Sequence, residues 1–232
     1  MVSSGFCWSE LPPEDILARL KSLTNQTGQG ASSGFLDTHQ WSALQDEPGI
    51  SLTGGHPAAQ HRRAAFSLPE TGVRYFQVSN GDLPDQGRTV RQLRSWLYRQ
   101  GLPESSLGDI IRGDELTMMV VEPDIELLEA GLPARLMKSW KPPVITAKRT
   151  TAAGPRIDAV LTSTFKVSRG EAQTALKFGF IYHNFRQVTK RTATVQAGDQ
   201  IVYRTKGRAE VAAIESNPRS GRVWVESRYY PV

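Results

Sequence analysis

Lys166, Ser168 and Arg169 stand at the start of what reads as a helix, and their types suit the gripping of phosphate. The first backbone N–H groups of a helix have no carbonyl partner within it, so its amino end favours an anion. Cations on either side add charge at that point. Arg156, Gln173, Lys177, Asn184, Arg186, Lys190 and Arg191 extend the set into a track along which a sugar–phosphate backbone can lie. Each cation alone is an ordinary surface residue. Their clustering around one capped turn is what points to nucleic acid.

Two short helices and a hairpin must position these groups. A helix begins at Arg156-Ile157-Asp158, with Ile157, Val160, Leu161 and Phe165 on its buried side. Ser168-Arg169-Gly170-Glu171 predicts a capping box: Ser168 accepts from the N–H three residues on, and Glu171 reaches back to the N–H of Ser168. Ala172, Ala175, Leu176 and Phe178 supply the core contacts of this second helix, and Gly179 ends it. Phe180-Ile181-Tyr182 reads as a strand, His183-Asn184-Phe185 as a turn, and Ile201-Val202-Tyr203 as a further strand after Ala197-Gly198-Asp199. Gly207, the alternating stretch 210–214 and Val223-Trp224-Val225 complete a small sheet.

The charge supports this division. From Arg156 onward there are 13 Lys and Arg against 6 Asp and Glu, while the rest of the chain holds 15 against 17. A basic final third on a slightly acidic body suits a polyanion-binding module on a neutral scaffold. The 232 residues are 39% hydrophobic, enough for cores in two small domains. No apolar run is long enough to span a membrane, and the first ten residues lack a signal-peptide pattern. Cys7 is the single cysteine, which excludes an internal disulfide framework and a cysteine-rich metal site. His39, His56, His61 and His183 are scattered, without carboxylate or cysteine partners at ligand spacing, so neither a metal nor any other cofactor is expected.

Upstream, Pro12-Pro13-Glu14-Asp15 opens a helix whose stripe is Ile16, Leu17, Leu20 and Leu23. Residues 27–34 read as a flexible spacer, and a short helix capped by Asp37 follows over 37–44. Residues 64–68 and 73–78 read as strands. Thr89 begins a helix with Val90, Leu93, Trp96 and Leu97 on one side and Arg88, Arg91, Arg94 and Arg99 on the rest. Strands over 107–111 and 117–121 flank the turn Arg112-Gly113-Asp114. A helix over 123–130 and a last strand over 144–147 would complete an α+β sandwich, RRM-like or ferredoxin-like. Lys148 to Pro155 reads as a join. The expected organisation is thus an N-terminal helical segment over 1–55, an α+β domain over 56–150 and the basic module over 151–232.

Arg156-Ile157-Asp158, Ser168-Arg169, Glu171-Ala172, Leu176, Gly179, Asn184 and Gly198-Asp199-Gln200-Ile201 resemble the RNA-binding domain named after the fourth small-subunit ribosomal protein, here the S-four domain. His183 and Phe185 depart from its usual pattern, at the hairpin tip. Further residues extend the likeness: Gly34-Phe35-Leu36-Asp37, His61-Arg62-Arg63-Ala64, Gly101-Leu102, Leu107-Gly108-Asp109-Ile110 and Lys206-Gly207-Arg208. With these the chain looks like the YlmH family, whose photosynthetic relatives are the photosystem II S-four domain proteins. That resemblance implies a non-enzymatic RNA-binding protein acting on rRNA and tRNA, associated with the large ribosomal subunit and its quality control. It also implies a monomer in the cytoplasm, with a cyanobacterial cytoplasm or plastid stroma as the photosynthetic variant.

Two other classes stay open at this point. Gly34-Phe35-Leu36-Asp37 imitates the catalytic motif of pseudouridine synthases, which often carry S-four domains, but its arginine is absent and Asp37 sits where a helix cap belongs. An adaptor for photosystem II assembly is the other alternative. His61-Arg62-Arg63 reads either as a second RNA contact or as a solvated turn. Tyr75 and Phe76 share a strand, and core packing is favoured over base stacking.

Overall fold

A computed structural model describes residues 8–68, 72–87, 89–218 and 220–231. Cys7 and Arg88 lie outside them. The fold is α+β, and the chain divides into two compact units, Met1–Val144 and Ile145–Val232.

The first unit opens with α1 (Pro13–Thr27), started by Pro12-Pro13 and stopped by Gly28 at φ +65°, whose N–H donates to the Thr24 carbonyl. It continues with β1 (Ala31–Leu36), α2 (Thr38–Leu44), β2 (Ile50–Thr53) and β3 (Arg62–Phe66), in a three-stranded sheet of order β1-β3-β2. The expected helical segment over 1–55 therefore holds strands as well, and the expected spacer over 27–34 runs into one of them. Its Gly and Ser residues are small because they are packed. A Cβ on Gly34 would lie 2.5 Å from the Ser105 side chain. Ser33 is fully buried, and its hydroxyl accepts from the Ala64 N–H.

β4 (Arg74–Ser79), α3 (Val90–Arg99), β5 (Leu107–Arg112), β6 (Leu116–Val121) and β7 (Arg135–Met137) follow. Their sheet order is β5-β6-β4-β7, with β6 antiparallel to both β4 and β5, as in a split βαβ arrangement. The expected helix over 123–130 is absent, and turns take its place. Leu127, Ala130 and Leu132 are buried all the same. The Arg74 guanidinium donates to the carbonyls of Pro123 and Ile125, acceptors that a helix would need for itself. The closing strand is β7 rather than 144–147, for which no strand is formed. Phe76 is buried in this unit's core, as expected for one of an adjacent aromatic pair.

The second unit begins with β8 (Lys148–Ala152), so the Lys148–Pro155 join is in part an edge strand. Then come α4 (Ile157–Phe165), α5 (Arg169–Lys177), β9 (Ile181–His183), β10 (Arg186–Gln187), β11 (Gln200–Tyr203), β12 (Gly207–Asn217) and β13 (Arg222–Pro231). The antiparallel sheet runs β10-β9-β11-β12-β13-β8. Ile157, Val160, Leu161, Ala172 and Leu176 of the two helices pack with Ile181, Ile201, Val211 and Val225 of the sheet. Each fully buried aliphatic side chain contributes about 1.5–3 kcal/mol. That outweighs an exposed ion pair such as Lys206–Glu171 at 3.2 Å, worth at most about 1 kcal/mol.

Gly207 marks the point where β12 leaves the tight turn. Its φ is +125°, and a Cβ there would lie 2.2 Å from the Tyr230 carbonyl oxygen. Both the backbone conformation and the space exclude a side chain. Gly207→Ala should cost at least about 2–3 kcal/mol, read as a lower urea midpoint at unchanged slope.

Candidate nucleic-acid interface

Arg156 and Arg169 come together. They line one concavity of about 280 Å³ with Gly154, Asp158 and Thr162, beside the amino ends of α4 and α5. The amino end of α5 is open: Ser168, Arg169 and Gly170 are all exposed. A Cβ on Gly170 would meet nothing closer than the Ser168 hydroxyl at 4.0 Å. Ser168 caps this helix, accepting from the Glu171 N–H at 3.1 Å. The return half of the expected capping box is not made. Glu171 instead faces Lys206, whose ammonium lies across from it on the turn before β12.

Arg156 differs from the sequence expectation in its partner. Its fork is held by Asp158, with Nη2 at 2.7 Å and Nε at 3.1 Å from the two carboxylate oxygens. That bidentate contact holds the Asp158 carboxyl below its ordinary range, and the charge of Arg169 adds to the effect. Asp158 itself is buried, whereas the Arg156 side chain is half exposed. Arg156 is thus oriented by a carboxylate, and Arg169 is the cation at this end that faces solvent at the head of a helix.

The remaining residues fall at four other places. Lys166 is exposed at the αL residue that ends α4, φ +53°. Gln173 is half-buried on α5, and Lys177 is exposed at its far end, about 12 Å along the axis from Arg169. Lys190 and Arg191 are exposed on the loop after β10. That loop is laced to the head of α4, since Arg156 bridges Thr194 and the Ile157 N–H donates to the Ala193 carbonyl.

Asn184 and Arg186 form the β9–β10 hairpin tip, where Asn184 and Phe185 both have positive φ. The Asn184 amide is engaged within the protein: Nδ2 donates to Asp199 at 2.9 Å, and Oδ1 accepts from the Gln200 N–H. Burial alone would raise the Asp199 carboxyl. Hydrogen bonds from Asn184, the Gln196 N–H and His183 overturn that and hold it below its usual range. Asn184 is therefore a hairpin clamp.

In the first unit the histidines correct the sequence reading. His56 and His61 both reach Asp109, at 3.1 Å and 2.7 Å, and the Gln60 and His61 N–H groups donate to the same carboxylate. His183 likewise reaches Asp199, at 2.6 Å. These carboxylates were hidden by sequence separation. Among the described residues no cluster of His, Cys, Asp and Glu has the arrangement to hold a metal ion.

Arg63 is buried and donates to the Ser33 and Gly72 carbonyls, with Glu122 at 3.3 Å. Arg62 lies over the Trp41 ring and donates to the Pro57 carbonyl. His61-Arg62-Arg63 is thus not a solvated turn: its side chains fasten the first unit together. Arg94, on the expected cationic face of α3, donates to the carbonyls of Leu107 and Gly108. Asp37 caps α2 in a reciprocal box with Gln40.

No family model matches the chain. Over 212 residues it is 26% identical to the ribosome-associated protein quality control protein P2 of Bacillus subtilis (strain 168), an overlap covering 81% of this chain and 82% of that protein. The chain is similar to a ribosome-associated protein across most of both lengths. Among the described residues no helix is long and apolar enough to cross a membrane.

Phe178 was expected to pack inward with Leu176, yet it is 63% exposed, and Phe180 is 37% exposed. The signal was available in the helical period: at about 100° per residue Phe178 falls roughly 110° from the stripe of Ala172, Ala175 and Leu176.

Proposed function

We propose that this chain is a non-enzymatic RNA-binding protein of the YlmH type, acting on structured rRNA or tRNA in association with the large ribosomal subunit, in the cytoplasm. The observation that carries the reading is the solvent-facing head of α5, with Arg169 at its first position and exposed Lys166 three residues earlier at the end of α4. Arg156 is held next to Arg169 by Asp158, and Lys177 stands at the other end of the same helix. The order α4, α5, β9, with Asn184 in the turn that follows, supports the S-four-type reading. The Bacillus subtilis relative, whose name places it on ribosomes in protein quality control, supports the ribosomal setting.

In this mechanism the protein carries out no bond-breaking step. Arg169, Lys166 and the open N–H groups of α5 neutralise phosphates, and the loop bearing Lys190 and Arg191 continues the contact beyond the head of α4. Recognition is of backbone path and shape, as suits double-stranded RNA, whose deep groove side chains do not read. Crosslinking in cells followed by sequencing of bound RNA tests the setting. Enrichment of a large-subunit rRNA helix together with tRNA is expected, and recovery of no ribosomal RNA would overturn it.

A further inference from the structure

We infer that Phe178 and Phe180 form a stacking platform for an unpaired base of the bound RNA, a contact that rests on the RNA-binding reading above. The two rings lie on either side of the Gly179 turn, 6.3 Å apart at 30°. The Lys177 ammonium lies 5.9 Å from the Phe178 ring. The turn is fixed rather than loose. The Phe178 N–H donates to the Thr174 carbonyl, the Phe180 N–H to the Ala175 carbonyl, and the Gln187 amide to the Gly179 carbonyl. A rigid aromatic surface beside a cation is what single-stranded nucleic acid uses, because every base has a face to stack and a phosphate to neutralise.

The size of the patch argues against a protein partner. Phe178 and Phe180 are the exposed large hydrophobics among the described residues of the Ile145–Val232 unit. Together the two partly covered rings offer about 200 Å², against about 800 Å² from each side of a stable protein interface. A base needs no more than one ring face. The spacing also fits. The platform follows the last residue of α5, about 12 Å from Arg169, which equals three to four nucleotides of a stacked strand at about 3.4 Å each. A strand leaving a duplex gripped at the head of α5 reaches the rings at its foot.

The test compares wild type with the Phe178→Ala/Phe180→Ala double variant on two probes, an RNA hairpin and the same hairpin with a single-stranded extension carrying 2-aminopurine. Both rings are exposed, so the variant is expected to fold, and circular dichroism checks this. The double variant should bind the extended hairpin about 5- to 150-fold more weakly. It should bind the plain hairpin as wild type does, and its salt dependence should be unchanged. Quenching of 2-aminopurine on binding should be lost with the rings, and Phe178→Trp should keep it. Equal affinity of wild type and variant for the extended hairpin, or quenching that survives in the variant, overturns the platform while leaving the phosphate grip intact. Failure of wild type to bind either probe overturns both.

Discussion

Asp109→Ala should lower the stability of the Met1–Val144 unit by about 3–5 kcal/mol, the cost of removing one partner from a buried charged cluster. The carboxylate is 3% exposed and accepts from two imidazoles and two backbone N–H groups. Alanine leaves all of those donors without an acceptor in a site where His56 is packed flat against Trp140, 4.4 Å between ring centres. Against a typical total of about 5–15 kcal/mol the loss is severe, and a fall in melting temperature of about 10–20 °C is expected. Asp109→Asn keeps the shape and part of the acceptor capacity, so it should cost less, about 1–3 kcal/mol.

The pH dependence of this contribution has a definite sign. Burial would raise the Asp109 carboxyl, but the hydrogen bonds from His56 and His61, and the positive charge those rings carry when protonated, hold it well below the usual range. A carboxyl lowered in the folded state adds stability that is fully present above its unfolded value of about 3.9. It is lost only as the pH falls through the lower folded value. The stabilisation of wild type over Asp109→Ala that the carboxylate supplies should therefore still be present in urea midpoints at pH 5 and be lost only below about pH 4. Convergence already at pH 5 to 6 would contradict the assignment.

Arg169→Glu should weaken binding to every structured RNA by about 10- to 100-fold, because it removes one phosphate contact and places a like charge at the head of α5. The neutral variant Arg169→Ala should weaken binding less and reduce the salt slope by about 1. Arg169 is exposed at the first position of its helix, away from the buried face formed by Ala172, Ala175 and Leu176. Neither variant should shift the melting temperature by more than a degree or two. A uniform loss across sequences separates a phosphate contact from a base contact, which would relax specificity at one position only. Unchanged affinity in Arg169→Glu removes Arg169 from the interface.

The second unit was legible in the sequence because its signals are local. Ser168 capping, the buried spacing of Ile157, Val160, Leu161 and Phe165, and the stop at Gly179 each act within a turn or two of chain. Asp37 was readable as a cap, and Thr89 as the start of its helix, for the same reason. What stayed hidden depends on distant partners. Asp109 lies 48 residues from His61 and 53 from His56, so no spacing reveals the cluster. Arg63 looks like one of a run of cations until Ser33, Gly72 and Glu122 close around it. Residues 27–34 look like a linker because small residues serve flexibility and tight packing equally well, yet a strand begins at Ala31. The expected helix over 123–130 failed where Arg74 competes for its carbonyls, a contact made from another strand. At the candidate interface, residue types identified the cations, but only the fold separates Arg169 facing solvent from Arg156 paired with Asp158 and from Asn184 tied to Asp199 and Gln200.

The most direct test of the central claim is the affinity of the wild-type chain for a large-subunit rRNA fragment and for tRNA, measured across a salt series. If Arg169, Lys166 and their neighbours neutralise four to six phosphates, log affinity falls against log salt with a slope of about −3 to −5. A slope near zero, or no binding at low salt, contradicts the account.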